Sequence, residues 1–135
     1  ILAHLFRSAT FSKPAVIAVG LSLGPLDDTS EGSSANEVAN ANGYTRVTLG
    51  GPHDATWTNI SQTALGSGQI SNLSGVTFPA ATADWVGKVS GVFLVDSATY
   101  GAGHVLMWGN LAVPRTVLNG DTLSFSVGNL VLSVN

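Results

Sequence analysis

The fold is decided by residues 118–134, which read LNGDTLSFSVGNLVLSV. Within this stretch the apolar side chains of Leu123, Phe125 and Val127 alternate with hydroxyl side chains. A two-residue period places apolar groups on one face of a β-strand and hydroxyls on the other. Residues 119–121, Asn-Gly-Asp, have the chemistry of a tight reversal, because Asn and Gly tolerate positive φ. The stretch therefore predicts strands joined by short turns.

The sequence before this stretch repeats the same pattern of short apolar segments at intervals of roughly ten residues. They are VTFPAATADW at 76–85, KVSGVFLVDS at 88–97 and HVLMWGNL at 104–111. An earlier segment, AVIAVGL at 15–21, is apolar at every position, which is typical of a strand covered on both faces. This spacing predicts an all-β domain, either a sandwich or a barrel.

The first half of the chain is richer in turn-forming residues. Residues 24–43 and 50–68 have the Gly, Ser, Asn and Asp content of long surface loops. Between them GYTRVTL, residues 43–49, alternates Thr45, Val47 and Leu49 against Tyr44, Arg46 and Thr48, which predicts a half-buried strand. No repeat or shift in composition divides the chain, so we predict a single domain over 14–135, preceded by an arm over 1–13.

Composition argues for burial of the surface in an assembly. Only 10% of residues are charged and 44% are hydrophobic, with a mean hydropathy of +0.32; soluble domains usually have about a quarter charged residues. One interpretation is a compact β protein rich in Ser, Thr and Asn; the other is a surface covered by further copies or by a partner.

Other classes of partner are not expected. The five basic residues are scattered and the net charge is -3, so no basic patch for nucleic acid is predicted. The absence of cysteine removes disulfides and thiolate metal sites. No apolar run reaches the roughly 20 residues that a membrane span requires.

A search for catalytic or metal-binding patterns yields only weak candidates. The three histidines have no metal-ligand spacing, and the oxygen-rich stretch 27–31 lacks the ligand order of a calcium loop. Asp96, Ser97 and His104 are close in sequence, but no nucleophile-elbow motif surrounds the serine. Asp84, Asp96 and Asp121 fit turn positions. We therefore predict no enzyme activity, no catalytic residue, no cofactor and no metal site.

Aromatic residues supply the candidates for binding. Tyr44, Trp57 and Tyr100 could present flat apolar faces to a glycan or a protein partner, although aromatics in small β domains are more often core residues. Of these, Trp57 is predicted to be the most exposed. Trp108 is expected in the core or at a subunit contact.

The chain resembles a family of small tailed-bacteriophage virion proteins usually labelled phage tail fibre protein. The resemblance runs through most of the chain in matching order. Its most specific pieces are TFPAATADW at 77–85, the pair VFLVDS and LMWGNL within 92–111, and PRTVLNGDTLSF at 114–125. It weakens over 22–42 and 50–74, where any particular host or capsid contact would lie.

The resemblance implies a jelly-roll-like β-sandwich, a homotrimer, a place on the virion and no catalytic residues. It also implies a short N-terminal helix that continues upstream of Ile1, which agrees with the helix-like apolar spacing of residues 1–7. Leu2, Leu5 and Phe6 on that helix are candidate assembly contacts.

Three functions remain open at this point. The chain has no coiled-coil or fibrous repeat, which favours a capsid decoration or cement protein bound to the major capsid protein. The first alternative is a tail fibre or tail-fibre adaptor subunit bound to tail proteins. The second is a lectin-like module that binds host-surface glycans.

Overall fold

A strand forms within each segment predicted from the sequence, although the segments 43–49 and 76–85 are strands only at Val47–Thr48 and Val76–Thr77. No helix occurs among the described residues. The computed structural model describes residues 8, 12–49, 57–58 and 68–134. Eight strands are formed: β1 (Ala18–Ser22), β2 (Val47–Thr48), β3 (Gly68–Ser71), β4 (Val76–Thr77), β5 (Val89–Val95), β6 (Val105–Arg115), β7 (Ser124–Phe125) and β8 (Val131–Val134). The predicted all-β class is confirmed. The predicted N-terminal helix, with Leu2, Leu5 and Phe6, lies outside the described residues.

The main sheet contains four antiparallel strands in the order β2-β1-β5-β6. All five residues of β1 are buried, as predicted for a strand covered on both faces. At the end of the sheet, β6 alternates half-buried and exposed residues from 105 to 112. It extends to Arg115, four residues beyond the apolar segment that predicted it.

The larger of two apolar cores lies between the main sheet and two smaller antiparallel pairs, β3–β8 and β4–β7. Its buried members come from both layers: Val19, Leu21, Val38, Tyr44, Trp57, Val76, Phe78, Ala81, Trp85, Val89, Leu94, Val117 and Leu130. This packing of sheet on sheet makes the fold a β-sandwich. The smaller core covers the opposite face of the main sheet, where Phe93 and Val95 pack with Leu26 and Ala35.

A buried asparagine breaks the final apolar stretch into two strands. Asn72 accepts the backbone N–H of Leu130 at 3.0 Å through its side-chain oxygen, and its side-chain nitrogen donates to the carbonyl of Ser126 at 3.2 Å. Between these contacts Gly128 has φ of +80°, a backbone conformation that favours glycine. The alternation therefore ends at Phe125, and Val127 is 60% exposed instead of inward.

The turn predicted at residues 119–121 is confirmed. Gly120 has φ of +87°, and the backbone N–H of Asp121 donates to the carbonyl of Leu118 at 2.9 Å. No helix long and apolar enough to cross a bilayer occurs in the part of the chain that the structure describes.

Candidate functional site

A buried ion pair joins Glu37 to Arg46. The Nη2 and Nε atoms of Arg46 lie 2.8 Å from Oε2 and 2.9 Å from Oε1 of Glu37, so the guanidinium holds both carboxylate oxygens. The Arg46 and Glu37 side chains are only 1% and 3% exposed. Because a lysine ammonium cannot form this two-point contact, the geometry is specific for arginine.

The remaining donors of Arg46 connect two distant loops. Its Nη1 atom donates to the backbone carbonyls of Ser97 and Ala102, at 2.8 Å and 2.9 Å. The guanidinium carbon also lies 5.6 Å from the centre of the Phe93 ring, within the range of a cation–π contact. Arg46 therefore fixes the loop over 96–104 against the first half of the chain.

The burial of Tyr44 and Arg46 was not evident from the sequence. Alternation over 43–49 predicted a half-buried strand without placing these two side chains in the core, and they are only 3% and 6% exposed. A buried charge is tolerated when it is paired and hydrogen-bonded, and the partner Glu37 was assigned to a surface loop. The available signal was that Glu37 and Arg46 are the charged residues of an otherwise uncharged stretch, 32–53.

The hydroxyl of Tyr44 completes this network. It donates to Oε1 of Glu37 at 2.7 Å and accepts the backbone N–H of Leu21 at 3.0 Å. Burial, followed by the hydrogen bond to Glu37, raises the pKa of Tyr44 far above its ordinary value. Its ring lies 6.1 Å from that of Phe78 and 5.5 Å from that of Trp85. Tyr44 is a core residue and exposes no ring face to a glycan or partner in this chain.

We predict that Tyr44→Phe lowers the free energy of unfolding by about 1–3 kcal/mol, because a buried N–H on Leu21 loses its acceptor. The wild type should also lose stability in alkali. The folded pKa of Tyr44 lies above the unfolded value of about 10, so its contribution is complete below that pH and falls as pH rises, by about 1.4 kcal/mol per pH unit. Urea unfolding between pH 7 and pH 11 measures both effects.

The matched control for this prediction is Tyr100→Phe, since Tyr100 is exposed. The control should keep the alkaline loss of the wild type, whereas Tyr44→Phe should reduce it by one titrating group. If the free energy of unfolding fell equally steeply with rising pH in all three proteins, the assignment to Tyr44 would be contradicted.

The other predicted aromatic contacts differ from one another in exposure. Trp57 is 9% exposed and belongs to the main core, so the prediction that it is the most exposed loop aromatic was wrong. Tyr100 is 41% exposed on the loop after β5. Trp108 is 40% exposed and therefore not a core residue; a subunit contact there stays a prediction. Tyr44, Trp57 and Tyr100 do not form one platform.

Two of the three acids of the second half close local reversals of the chain, as predicted: Asp96 accepts the backbone N–H of His104 at 2.6 Å, and Asp121 accepts that of Leu118 at 3.0 Å. Asp84 instead accepts the backbone N–H of Asn119, 35 residues along the chain, at 2.8 Å. A carboxylate that bonds backbone groups in this way has a structural role that needs no substrate.

The serine, histidine and aspartate near residue 100 do not form a catalytic relay. Asp96 bonds the backbone of His104, while the ring Nδ1 of His104 lies 3.2 Å from Oε2 of Glu31 in an exposed pair. The hydroxyl of Ser97 accepts the backbone N–H of Thr99 at 3.1 Å. The general base and the nucleophile of a triad must be in mutual contact. The candidate base, His104, and the candidate nucleophile, Ser97, instead bind other partners.

The oxygen-rich stretch 27–31 forms a turn closed by its own side chains. Oδ1 of Asp27 accepts the hydroxyl of Thr29 at 2.7 Å and its backbone N–H at 2.9 Å. These hydrogen bonds lower the pKa of Asp27. No group of three or more His, Cys, Asp or Glu side chains suited to a metal occurs within the described ranges.

The surface feature that stands out is the end of the sheet formed by β6. Leu106, Trp108 and Val113 are 43%, 40% and 61% exposed along one strand, and no charged residue lies between His104 and Arg115. Leu106 and Trp108 are two residues apart and share one face of the strand, and neighbouring exposed apolar residues mark an interaction site more often than scattered ones do. Asn110 on the same face accepts the backbone N–H of Leu26 at 2.9 Å, which anchors the loop covering the smaller core.

A small apolar cavity lies directly inside this edge. Its volume is about 230 Å³, and it opens between β6 and the segment that leads into β8. Its walls include Met107, Gly109, Leu111, Leu130 and Leu132. Sites for small-molecule ligands are usually larger, about 300–1,000 Å³, and include converging polar groups. The cavity volume therefore fits one or two side chains of another protein chain better than a small-molecule ligand.

Comparison with known families gives a match over nearly the whole chain. The family model described as podophage GP4 fiber I protein gp80 matches residues 1–133. The chain belongs to this family. The fiber I family is one of phage fibre proteins, so the chain is a structural phage protein associated with the virion. The resemblance to virion proteins seen in the sequence is thereby confirmed. No match was found among curated proteins.

The family match covers every feature described above. The match includes both the β6 surface and the Glu37–Arg46 network, because it extends from residue 1 to residue 133.

Proposed function

We propose that this chain is a non-enzymatic structural subunit of a fibre on a podophage particle and that it assembles with copies of itself. The family match over residues 1–133 is the observation that carries this proposal. The exposed apolar side chains of β6 support it, because they would be covered in an assembly. Such a subunit functions by keeping a stable fold and by contacting the neighbouring subunits.

Capsid decoration is the competing function within the same class. A compact sandwich without a fibrous repeat suits a cement protein that contacts the major capsid protein, as the sequence favoured. The family description favours a fibre, and therefore contacts with other fibre or tail proteins. In either case we propose a homo-oligomer; the trimer is the state that the sequence resemblance implies.

Glycan binding is a second candidate supported by one observation. Tyr100 is 41% exposed on a loop that Arg46 holds in place. A single aromatic ring can stack on a sugar, although a platform of several rings would be expected to bind more strongly. Loss of glycan-array binding in Tyr100→Ala would support this function, whereas a wild-type protein that binds no glycan on the array would contradict it.

Particles assembled without this chain provide the test of the fibre proposal. We expect heads that contain DNA and a complete tail, but that lack one class of fibre when imaged. Supplying the wild-type chain in trans should restore that fibre. Particles with all fibres intact, and heads that leak or break under osmotic stress, would instead show that the chain is a capsid cement.

A further inference from the structure

We propose that Asn42 is a site of spontaneous deamidation, at which the backbone nitrogen of Gly43 attacks the side-chain amide of Asn42. The sequence contains Asn-Gly at 42–43 and again at 119–120. Asparagine is among the chemically labile residues of proteins, and a following glycine leaves its side chain unhindered for ring closure. The structure distinguishes the two Asn-Gly sequences, because the fold activates the first and protects the second.

The reaction requires only the chain and water. The backbone N–H of Gly43 gives its proton to the solvent, and the nitrogen forms a bond to Cγ of Asn42. The bond between Cγ and Nδ2 then breaks, and Nδ2 takes up a proton and leaves as ammonia. A water molecule afterwards opens the cyclic imide at either of its carbonyl carbons. Residue 42 thereby becomes aspartate or isoaspartate.

The nucleophile of this reaction lies at the centre of a tight turn. Asn42 and Gly43 have φ of 54° and 86°, and the backbone N–H of Tyr44 donates to the carbonyl of Ala41 at 3.0 Å. Positive φ at both central residues is the mark of a type I′ turn. The closing hydrogen bond of such a turn does not use the central N–H, and no described residue accepts the N–H of Gly43. The Asn42 side chain is exposed to water.

Two hydrogen bonds to the turn favour loss of the Gly43 proton. The carbonyl oxygen of Asn42 accepts the indole N–H of Trp85 at 3.0 Å and the backbone N–H of Thr82 at 3.0 Å. This oxygen belongs to the same peptide unit as the Gly43 nitrogen, so it shares the negative charge that deprotonation creates. Fixed donors aimed at a developing anion stabilise it, as in an oxyanion hole. The fold therefore makes the Gly43 nitrogen a better nucleophile.

The second Asn-Gly sequence has the opposite arrangement. The backbone N–H of Gly120 donates to the carbonyl of Ala81 at 2.7 Å, and a hydrogen bond made by the protonated form opposes loss of that proton. No described residue donates a hydrogen bond to the carbonyl of Asn119. The Asn119 side chain is exposed, as that of Asn42 is, so access of water does not distinguish the two sites. We expect Asn119 to be the slower site in the folded chain.

The fold requires the glycine that permits the reaction. Gly43 has φ in the left-handed region, and a Cβ built on it would lie 2.6 Å from the carbonyl oxygen of Ala80. A side chain at this position would be strained in conformation and would also clash. Asparagine is itself one of the few residues that adopt the left-handed region readily. The requirements of the turn thus place a reactive pair of residues at 42–43.

Deamidation here should weaken the fold. Isoaspartate adds one carbon to the backbone of the turn, which moves the oxygen that Thr82 and Trp85 contact. The turn leads directly into Tyr44 and Arg46, which belong to the buried network with Glu37. The modified chain is therefore expected to unfold at a lower temperature than the intact chain.

The test follows both sites in one molecule. The purified full chain is incubated at mildly alkaline pH and digested at intervals, and mass spectrometry measures the fraction of amide lost at residues 42 and 119. In the folded chain residue 42 should react about tenfold faster than residue 119, which is the rate equivalent of about one hydrogen bond. In chain unfolded by urea the two sites should react at similar rates. An equal or slower reaction at residue 42 in the folded chain, or no reaction there, would overturn the proposal.

Variants test the donor and the consequence. Trp85→Phe removes the indole N–H and should slow the reaction at Asn42 about tenfold without slowing that at Asn119; urea unfolding confirms that the variant is folded. An unchanged or faster reaction at Asn42 in this folded variant would overturn the role of the indole. Asn42→Gly keeps a sequence suited to a type I′ turn and should retain its thermal unfolding midpoint during the incubation. The matched control, Asn119→Gly, should lose stability as the wild type does; equal losses in both variants would contradict the assignment to Asn42.

Discussion

Replacing Arg46 by alanine is expected to lower the free energy of unfolding by about 3–5 kcal/mol, because it leaves a buried carboxylate without its partner. Glu37 would keep only the hydrogen bond from Tyr44 and a long contact, 3.4 Å, from the backbone N–H of Gly101. The carbonyls of Ser97 and Ala102 would lose their donor as well. Urea unfolding at neutral pH and low protein concentration, where association does not contribute, measures this loss.

Two further variants distinguish the network from a general effect of removing a charge. Arg115→Ala removes an exposed arginine and should change the free energy of unfolding by less than about 0.5 kcal/mol. Glu37→Gln in the Arg46→Ala background should recover part of the loss, because the buried charge is then gone. If Arg46→Ala and Arg115→Ala changed the free energy of unfolding equally little, the buried ion pair would not be the main contact between the loop over 96–104 and the first half of the chain.

The second large effect concerns the contact between Gly20 and Phe93, which lie opposite each other in β1 and β5. The Phe93 ring covers Gly20 so closely that a Cβ there would lie 2.3 Å from the ring. Phe93→Ala should therefore lower the free energy of unfolding by about 3–5 kcal/mol through loss of a buried ring and formation of a cavity. Gly20→Ala should lower it by about 1–3 kcal/mol through overpacking.

The double variant makes this prediction specific. Gly20→Ala in the Phe93→Ala background places a methyl group in the space the ring has left, so the combined loss should be clearly smaller than the sum. The control is Gly109→Ala, at a glycine of the same sheet with open space around it. This variant should raise the free energy of unfolding by about 0.5–1 kcal/mol. Additive losses in the double variant would show that the ring does not occupy the space above Gly20.

The parts of the fold predicted from the sequence are those encoded by local patterns. The continuous apolar run of β1 predicted burial on both faces, and the Asn-Gly-Asp turn at 119–121 was evident from its residues. The acids at turns were also assigned correctly, since Asp96 and Asp121 bond backbone groups within ten residues. These features depend on neighbours in the chain and need no knowledge of its topology.

The parts that were missed depend on contacts between distant segments. Arg46 is buried because Glu37 and the loop over 96–104 supply its partners, and alternation along 43–49 contains no information on that loop. Trp57 lies in a segment with the composition of a surface loop, yet it joins the core beside Asn72, with which it forms an isolated β-bridge. The exposure of Trp108 follows from the position of β6 at the end of the sheet, which strand patterns alone do not determine.

The central claim, that this chain is a structural subunit of a phage fibre, is tested most directly by imaging intact particles labelled with antibody fragments against the chain. The account predicts label confined to the fibres, with several copies on each. Regular label over the icosahedral lattice of the head and none on the fibres would contradict it and assign the chain to capsid decoration. Absence of label from complete particles would contradict both assignments.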